Sequence, residues 1–233
     1  MGDKEKMAVP RIVFYGASGY SYSILQMATH GFAQPLCEPA AYIDDFRGGC
    51  GQHLNGVPII SFNEWKNSFS DLPCFVTVAD PKARRHLADK ILMAGGSFAG
   101  FHEQFPDVSI DTGTLVCTPT YIAPNTTVGK HVQVMPMCSI GHDVIIEDYV
   151  TLCPSCTVSG YVVIEKEVFV GAGTTIVHGR SGKPLTIGSG AKISAGAVVT
   201  KSLPPNASVA GNPARTLREL ARARSGTSPN IDD

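Results

Sequence analysis

His142 and Asp143 are adjacent, and an imidazole beside a carboxylate is a side-chain pair suited to moving a proton near neutral pH. The carboxylate can hold one ring nitrogen protonated and leave the other free to act as a general base. By residue type alone, the same pair describes a solvated surface histidine. Its position in the chain therefore decides what it can do.

That position is set by a repeat. An aliphatic residue returns every six positions at Ile110, Val116, Ile122, Val128, Val134, Ile140, Ile146, Leu152, Val158, Ile164, Val170 and Ile176. The rhythm breaks at the polar stretch His178 to Lys183 and resumes at Ile187, Ile193 and Val199. Four residues after each aliphatic stands a small or β-branched one, among them Thr114, Thr126, Val132, Cys138, Val144, Cys156, Thr174, Ala191 and Ala197. Two inward positions in every six match no helix and no ordinary hairpin sheet; they match a parallel β-helix. Three hexapeptides make one coil, so fifteen hexapeptides predict five coils in a prism about 24 Å tall at roughly 4.8 Å per coil. The break is read as an inserted loop. Stacking by eighteen puts His142 at a corner, with Gly160 one coil above it and His178 two coils above.

Ahead of the repeat, strands and helices alternate. Arg11 to Tyr15 reads as a strand, Gly16 to Gly19 as a tight turn, and Ser21 to His30 as a helix closed by Gly31. Ala40 to Ile43 is a second strand, ending in Asp44 and Asp45. Ser61 and Glu64 form a capping box for a short helix through Trp65, and Cys74 to Val78 is a third strand. Asp80 and Pro81 open a helix to Ala94, with Gly95 as its stop. The expected architecture is a small N-terminal Rossmann-like parallel α/β domain over 1–105, then a parallel β-helix over 106–216. A short helix and a disordered tail over 217–233 follow. The Gly16 turn would present backbone amides at a helix start, where phosphates bind; it lacks the GxGxxG spacing, so fold geometry explains it equally well.

Composition narrows the class. The chain has 233 residues, 43% of them hydrophobic, and a formal net charge of -1. This balance gives no electrostatic reason to expect nucleic acid or an anionic membrane as partner, and no apolar run approaches the length of a spanning helix. Seven cysteines at irregular spacing fit a reducing compartment, so the expected location is cytoplasmic. Cys153 and Cys156 form a CxxC, but Cys156 falls on an inward position, which makes it a core thiol beside a corner thiol. The three flat sides of the prism predict a homotrimer.

The order of a Gly16-Ala17-Ser18-Gly19 turn, a strand ending in Asp44-Asp45, a β-α-β stretch and a prism carrying Ile140-Gly141-His142-Asp143 resembles one bacterial family. Its members are nucleotide-amino-sugar N-acetyltransferases and sialic acid O-acetyltransferases, and the match runs from about Arg11 to Arg215. The resemblance implies a left-handed β-helix of hexapeptide repeats. It also implies acetyl-CoA lying between subunits of a trimer, a nucleotide sugar on the N-terminal domain, and no metal. It makes His142 the base, Asp143 its orienting partner in place of a frequent Glu, and Gly160 an N–H donor to the thioester carbonyl. The acetyl-CoA positions implied are Gly160, Gly173, His178, Lys201 and Arg215. The nucleotide-sugar positions are Gly16, Ser18, Gly19, Tyr20, Asp44, Asp45, Asp80 and Arg84. Two departures fall in the nucleotide-sugar pocket: Tyr20 stands where the family often has His, and Ala79-Asp80-Pro81 stands where it has a Gly-Asn-Asn type of stretch.

Other functions share parts of this pattern. An O-acetyltransferase would use every catalytic residue named. A β-helical zinc carbonic anhydrase would use His142 and His178, but its third ligand falls on Lys183. A non-catalytic sugar-nucleotide-binding or assembly protein would keep the prism with no use for His142, Asp143 and Gly160 in register.

Overall fold

The six-residue period becomes three flat faces in a computed structural model that describes residues 9–30, 35–49 and 51–224. Two expectations, Gly31 as a helix stop and a disordered tail from Ser225, lie outside the described residues. The chain forms two compact units, the first ending at His102 and the second beginning at Glu103.

In the first unit, β1 (Arg11–Tyr15), β2 (Glu38–Ile43), β3 (His53–Leu54), β4 (Val57–Ile60) and β5 (Cys74–Val76) form one sheet in the order β3-β4-β2-β1-β5. Helices α1 (Gly19–His30), α2 (Phe62–Ser68) and α3 (Pro81–Met93) connect them. Four strands are parallel, as expected, but β3 runs antiparallel to β4, so the sheet is mixed. The cause is local: Asn55 and Gly56 both have positive φ, 50° and 82°, the conformation of a tight hairpin turn. Ser61 and Glu64 make the expected capping box on α2. Phe14, Tyr42, Phe75, Trp65 and Phe101 fill the core.

In the second unit, short strands stack in parallel register eighteen residues apart. One face carries Leu115–Val116, Gln133–Val134, Thr151–Leu152 and Phe169–Val170, continued by Lys192–Ile193 and Ser208–Ala210. The last of these is a sixth rung beyond the five coils expected. The predicted aliphatics point inward: Val134, Ile140, Leu152, Ile164, Val170, Ile176 and Ile187 are all fully buried. At about 1.5–3 kcal/mol for each such side chain, this stack is the main favourable term holding the prism together. The inward hydroxyls and thiols bond to corner carbonyls fifteen positions on: Thr114 to Gly129 O at 2.7 Å, Thr126 to Gly141 O at 3.0 Å, and Cys156 to Gly171 O at 3.3 Å. No buried hydroxyl among these is left unmatched.

The corners have a second regularity. Asn125, His131, Met137, Asp143, Tyr149, Ser155, Tyr161 and Glu167, each six residues from the next, all have φ between 54° and 65°. A left-handed residue with a side chain costs about 1–2 kcal/mol. Here the backbone N–H of the corner residue gains a carbonyl on the preceding coil, as in Tyr149 to Lys130 O at 2.8 Å and Tyr161 to His142 O at 3.1 Å. The insertion closes as a tight hairpin in which Arg180 and Lys183 exchange both backbone hydrogen bonds, at 3.1 and 2.9 Å. After the last rung, Arg215–Thr216 pairs antiparallel with Ser208–Ala210 and leads into helix α4 (Leu217–Arg224).

Candidate active site

The left-handed corner at Asp143 turns its carboxylate back onto the preceding ring. Asp143 Oδ2 lies 2.6 Å from His142 Nδ1. A carboxylate only accepts, so Nδ1 carries the proton and Nε2 presents a bare lone pair. Among the described residues Nε2 meets no hydrogen-bond partner, and the side chain is 57% exposed. Gly160 lies against the other side of the ring: a methyl group there would stand 2.9 Å from both Cε1 and Nε2. The Gly160 N–H has no acceptor among the described residues. A lone pair that can take a proton and an N–H that can meet developing negative charge thus sit at one corner.

Stacking continues along this corner. Ser139, Thr157 and Thr175 are in register, as are Ile140, Val158 and Ile176, which carries the line from His142 through Gly160 to His178. One coil further, Leu203 bridges Ile187 and Ser202 Oγ accepts from Thr186 N–H at 3.0 Å, so Lys201 belongs to the same ridge. Gly173 does not. Its φ of 68° puts it at the left-handed corner that also holds Met137 and Ser155, one side of the prism away from His142. Within this chain it is a corner glycine, and its separation from His142 is not a multiple of eighteen. Arg215 is exposed on the closing strand pair, in the electrostatic reach of Glu219 together with Lys201.

In the first unit, the turn after β1 needs its glycine. Gly16 has φ of 117°, and a Cβ there would fall 2.8 Å from Thr77 Oγ1. The turn is less open as an anion nest than its sequence suggests. Gly16 N–H donates to Ile43 O at 2.8 Å and Ser18 N–H to Ser21 Oγ at 3.2 Å, leaving the amides of Ala17 and Gly19 without an acceptor among the described residues. Tyr20 is half-buried in the first turn of α1.

The acidic pair is already neutralised from within. Asp44 accepts from Phe46 N–H and Arg47 N–H and pairs with the Arg47 guanidinium at 3.1 Å. Burial raises its carboxyl, but the hydrogen bonds from Phe46 and Arg47 outweigh this and hold it below the usual carboxylate range. Asp45 accepts from Tyr15 Oη at 2.6 Å and from Lys90 Nζ at 2.9 Å, while Lys90 also sits 4.2 Å from the centre of the Phe62 ring. Burial, then the bond to Asp45, pushes the Tyr15 phenol up and keeps it protonated.

Two other expected sugar-nucleotide positions have structural tasks within the unit. Arg84 is 1% exposed, and its guanidinium donates to Val78 O at 2.7 Å and Ala79 O at 3.0 Å, fastening the loop after β5. Asp80 Oδ1 caps α3 by accepting from Ala83 N–H at 2.9 Å. Cys156 is buried as expected, beside a half-buried Cys153. Among the described residues, no three His, Cys, Asp or Glu side chains stand together as a metal site would need. No helix among them is long and apolar enough to cross a membrane.

Comparison with known proteins now applies to both units. Residues 11–91 match the PglD N-terminal domain family, and residues 125–160 match the bacterial transferase hexapeptide (six repeats). The chain is 31% identical over 211 residues to GDP-perosamine N-acetyltransferase of Escherichia coli O157:H7, covering 88% of this chain and 95% of that protein. The chain belongs to the family of nucleotide-amino-sugar N-acetyltransferases and sialic acid O-acetyltransferases. It is an acyltransferase. WeeI from Acinetobacter baumannii AYE has the same fold at a TM-score of 0.77 and 31% identity, over 90% of this chain and all of its own. A variant of perosamine N-acetyltransferase from Caulobacter crescentus, in complex with CoA and GDP-perosamine, superposes with a TM-score of 0.77 at 21% identity. It covers 90% of this chain and 97% of its own, and it shows the fold.

One residue of this acetyltransferase's corner escaped the sequence reading. The Tyr161 ring meets the His142 imidazole edge to face, with centroids 5.1 Å apart. The signal was available, since Tyr161 is eighteen residues after Asp143 and stacks on it as Gly160 does on His142.

Proposed function

We propose that this acetyltransferase transfers the acetyl group of acetyl-CoA to the amino group of a nucleotide-linked amino sugar, with His142 as general base. The observation that carries the reading is the His142 corner: Nδ1 bound to Asp143 at 2.6 Å, Nε2 bare, and the Gly160 N–H unbonded beside it. The substrate class rests on the E. coli relative, whose name gives it a GDP-linked amino sugar as acceptor.

In this mechanism, His142 Nε2 removes a proton from the sugar amine as its nitrogen attacks the thioester carbonyl carbon. Asp143 holds the ring and stabilises the imidazolium that forms. Gly160 N–H donates to the oxyanion of the tetrahedral adduct, where a hydrogen bond counts most because charge develops there. The C–S bond then breaks, and the imidazolium returns its proton to the departing sulfur. The products are the N-acetylated sugar nucleotide and CoA.

The N-terminal unit is the acceptor domain in this reading, with the Ala17 and Gly19 amides facing a phosphate and Asp44 ordering the loop beside it. The prism winds left-handed and assembles as a homotrimer, as the family resemblance implies, with acetyl-CoA between subunits. The test is thiol release from acetyl-CoA in the presence of GDP-, UDP-, dTDP- and CMP-linked sugars bearing either a free amine or only hydroxyls. Release dependent on an amine supports the reading; release with the hydroxyl sugars alone makes the enzyme an O-acetyltransferase.

A further inference from the structure

Two histidines of the prism each meet a tyrosine of the next coil, and the two offsets differ by one residue. Tyr149 is eighteen positions after His131, and their rings stack nearly parallel, with planes 7° apart and centroids at 5.1 Å. Tyr161 is nineteen positions after His142, and at the same 5.1 Å the planes stand at 90°. His131 is buried, whereas the His142 side chain is 57% exposed. A ring laid flat on an imidazole covers it. A ring set at right angles, one residue along, braces it and leaves its far nitrogen open.

The brace is itself fixed. Tyr161 sits in a left-handed corner with φ of 57°; its backbone N–H donates to His142 O at 3.1 Å, and its carbonyl accepts from Leu185 N–H at 3.1 Å. The backbone from which the ring departs is thus held by the coil below and the coil above. The Tyr161 hydroxyl has no hydrogen-bond partner among the described residues, so the contact with His142 is made by the ring.

The bond from Nδ1 to Asp143 Oδ2 at 2.6 Å fixes one point of the imidazole and leaves it free to pivot about that line. The Gly160 backbone limits the pivot beside Cε1 and Nε2. We propose that Tyr161 is a positioning residue for the acetyl transfer, its ring closing the remaining pivot so that the Nε2 lone pair and the Gly160 N–H are aimed at one reacting centre. The inference rests on the acetyl-transfer reading above and adds a residue outside the set of His142, Asp143 and Gly160 that the resemblance supplies. Rings favour this edge-to-face arrangement because the positive edge of one meets the negative face of the other. A general base displaced by about 1 Å loses up to about 10²-fold in rate, so a contact that only holds the ring still counts in turnover.

Steady-state thiol release tests this in the full-length wild type and in Tyr161→Phe and Tyr161→Asn variants, with acetyl-CoA and the panel of GDP-, UDP-, dTDP- and CMP-linked amino sugars. Asparagine tolerates the left-handed corner, so Tyr161→Asn removes the ring and keeps the backbone; Tyr161→Gly is the second ring-free variant. The ring-free variants are expected to lower kcat about 10- to 100-fold with the KM for acetyl-CoA held within about twofold. Tyr161→Phe keeps the ring and should retain at least half of the wild-type kcat. In a His142→Ala background the Tyr161→Asn change should have no further effect, because a residue that acts through the imidazole then has nothing to hold. Equal kcat in the wild type and the ring-free variants, or an equal fall in the His142→Ala background, overturns the positioning role and leaves the acetyltransferase reading standing. A fall with Tyr161→Phe as large as with Tyr161→Asn assigns the effect to the hydroxyl and also overturns it. A wild type that releases no thiol with any of these sugars removes the acetyl-transfer reading, and the role with it.

Discussion

The backbone of Gly160 lies so close to the imidazole of His142 that a methyl group on it would stand 2.9 Å from both Cε1 and Nε2. Because Gly160 does not have a positive φ, alanine suits its backbone torsions and its methyl presses first on the ring, with the His142 carbonyl oxygen next at 3.1 Å. Gly160→Ala should therefore lower kcat by at least tenfold while the melting temperature changes by only a few degrees. Steady-state kinetics beside a thermal melt checks both.

His142→Ala should lower kcat by about 10² to 10⁴, the usual loss for a general base, with an unchanged oligomeric state by light scattering. Asp143→Asn should cost about 10- to 10³-fold in kcat with little change in KM. Asparagine tolerates the left-handed corner, so the fold survives while the charge opposite Nδ1 is lost. Unchanged turnover in both variants would move the base elsewhere on the ridge, to His178 first.

Asp44→Ala should raise KM for the nucleotide sugar by roughly one to two decades, about 1–3 kcal/mol, and leave CoA affinity alone. Removing the carboxylate frees Arg47 and the 44–47 turn at once. The same carboxyl also gives a pH signature. Its folded value is depressed, so its contribution to stability is present above the ordinary carboxylate range and is lost as pH falls through the lower folded value. The difference in melting temperature between wild type and Asp44→Asn should accordingly shrink on acidification.

Burial pushes the thiols of Cys37, Cys74 and Cys117 up to about 12. At pH 8 only ~10⁻⁴ of each is thiolate, so iodoacetamide should leave all three unmodified in the folded protein and label them in urea. Mass spectrometry of the alkylated peptides reads this directly. Fast native labelling of any of them would contradict the packing described.

The prism was legible because its inward positions obey one short period, and the stacking of Gly160 over His142 follows from the same arithmetic. By the same arithmetic Gly173, which the resemblance gives as an acetyl-CoA position, stands at a different corner from His142. The hairpin at Asn55-Gly56 carried a turn signal that the alternating strand and helix pattern overshadowed. Asp44, Asp45 and Arg84 are a different case. Their partners Arg47, Lys90 and the carbonyls of Val78 and Ala79 are brought to them by folding, and residue type alone cannot separate a ligand contact from an internal one. The left-handed corners were hidden for a related reason: residues as unlike as Met137, Tyr161 and Glu167 adopt them.

A stack built from identical rungs is a ruler. The spacing between the proton-transfer corner and the basic hairpin can change only in whole rungs, because each rung keeps the inward pattern of the one below it. Duplicating eighteen residues between Gly160 and His178 would carry the hairpin one rung, about 4.8 Å, away from His142 without altering any core position. The sequence period thereby fixes the reach demanded of any molecule that must touch both ends.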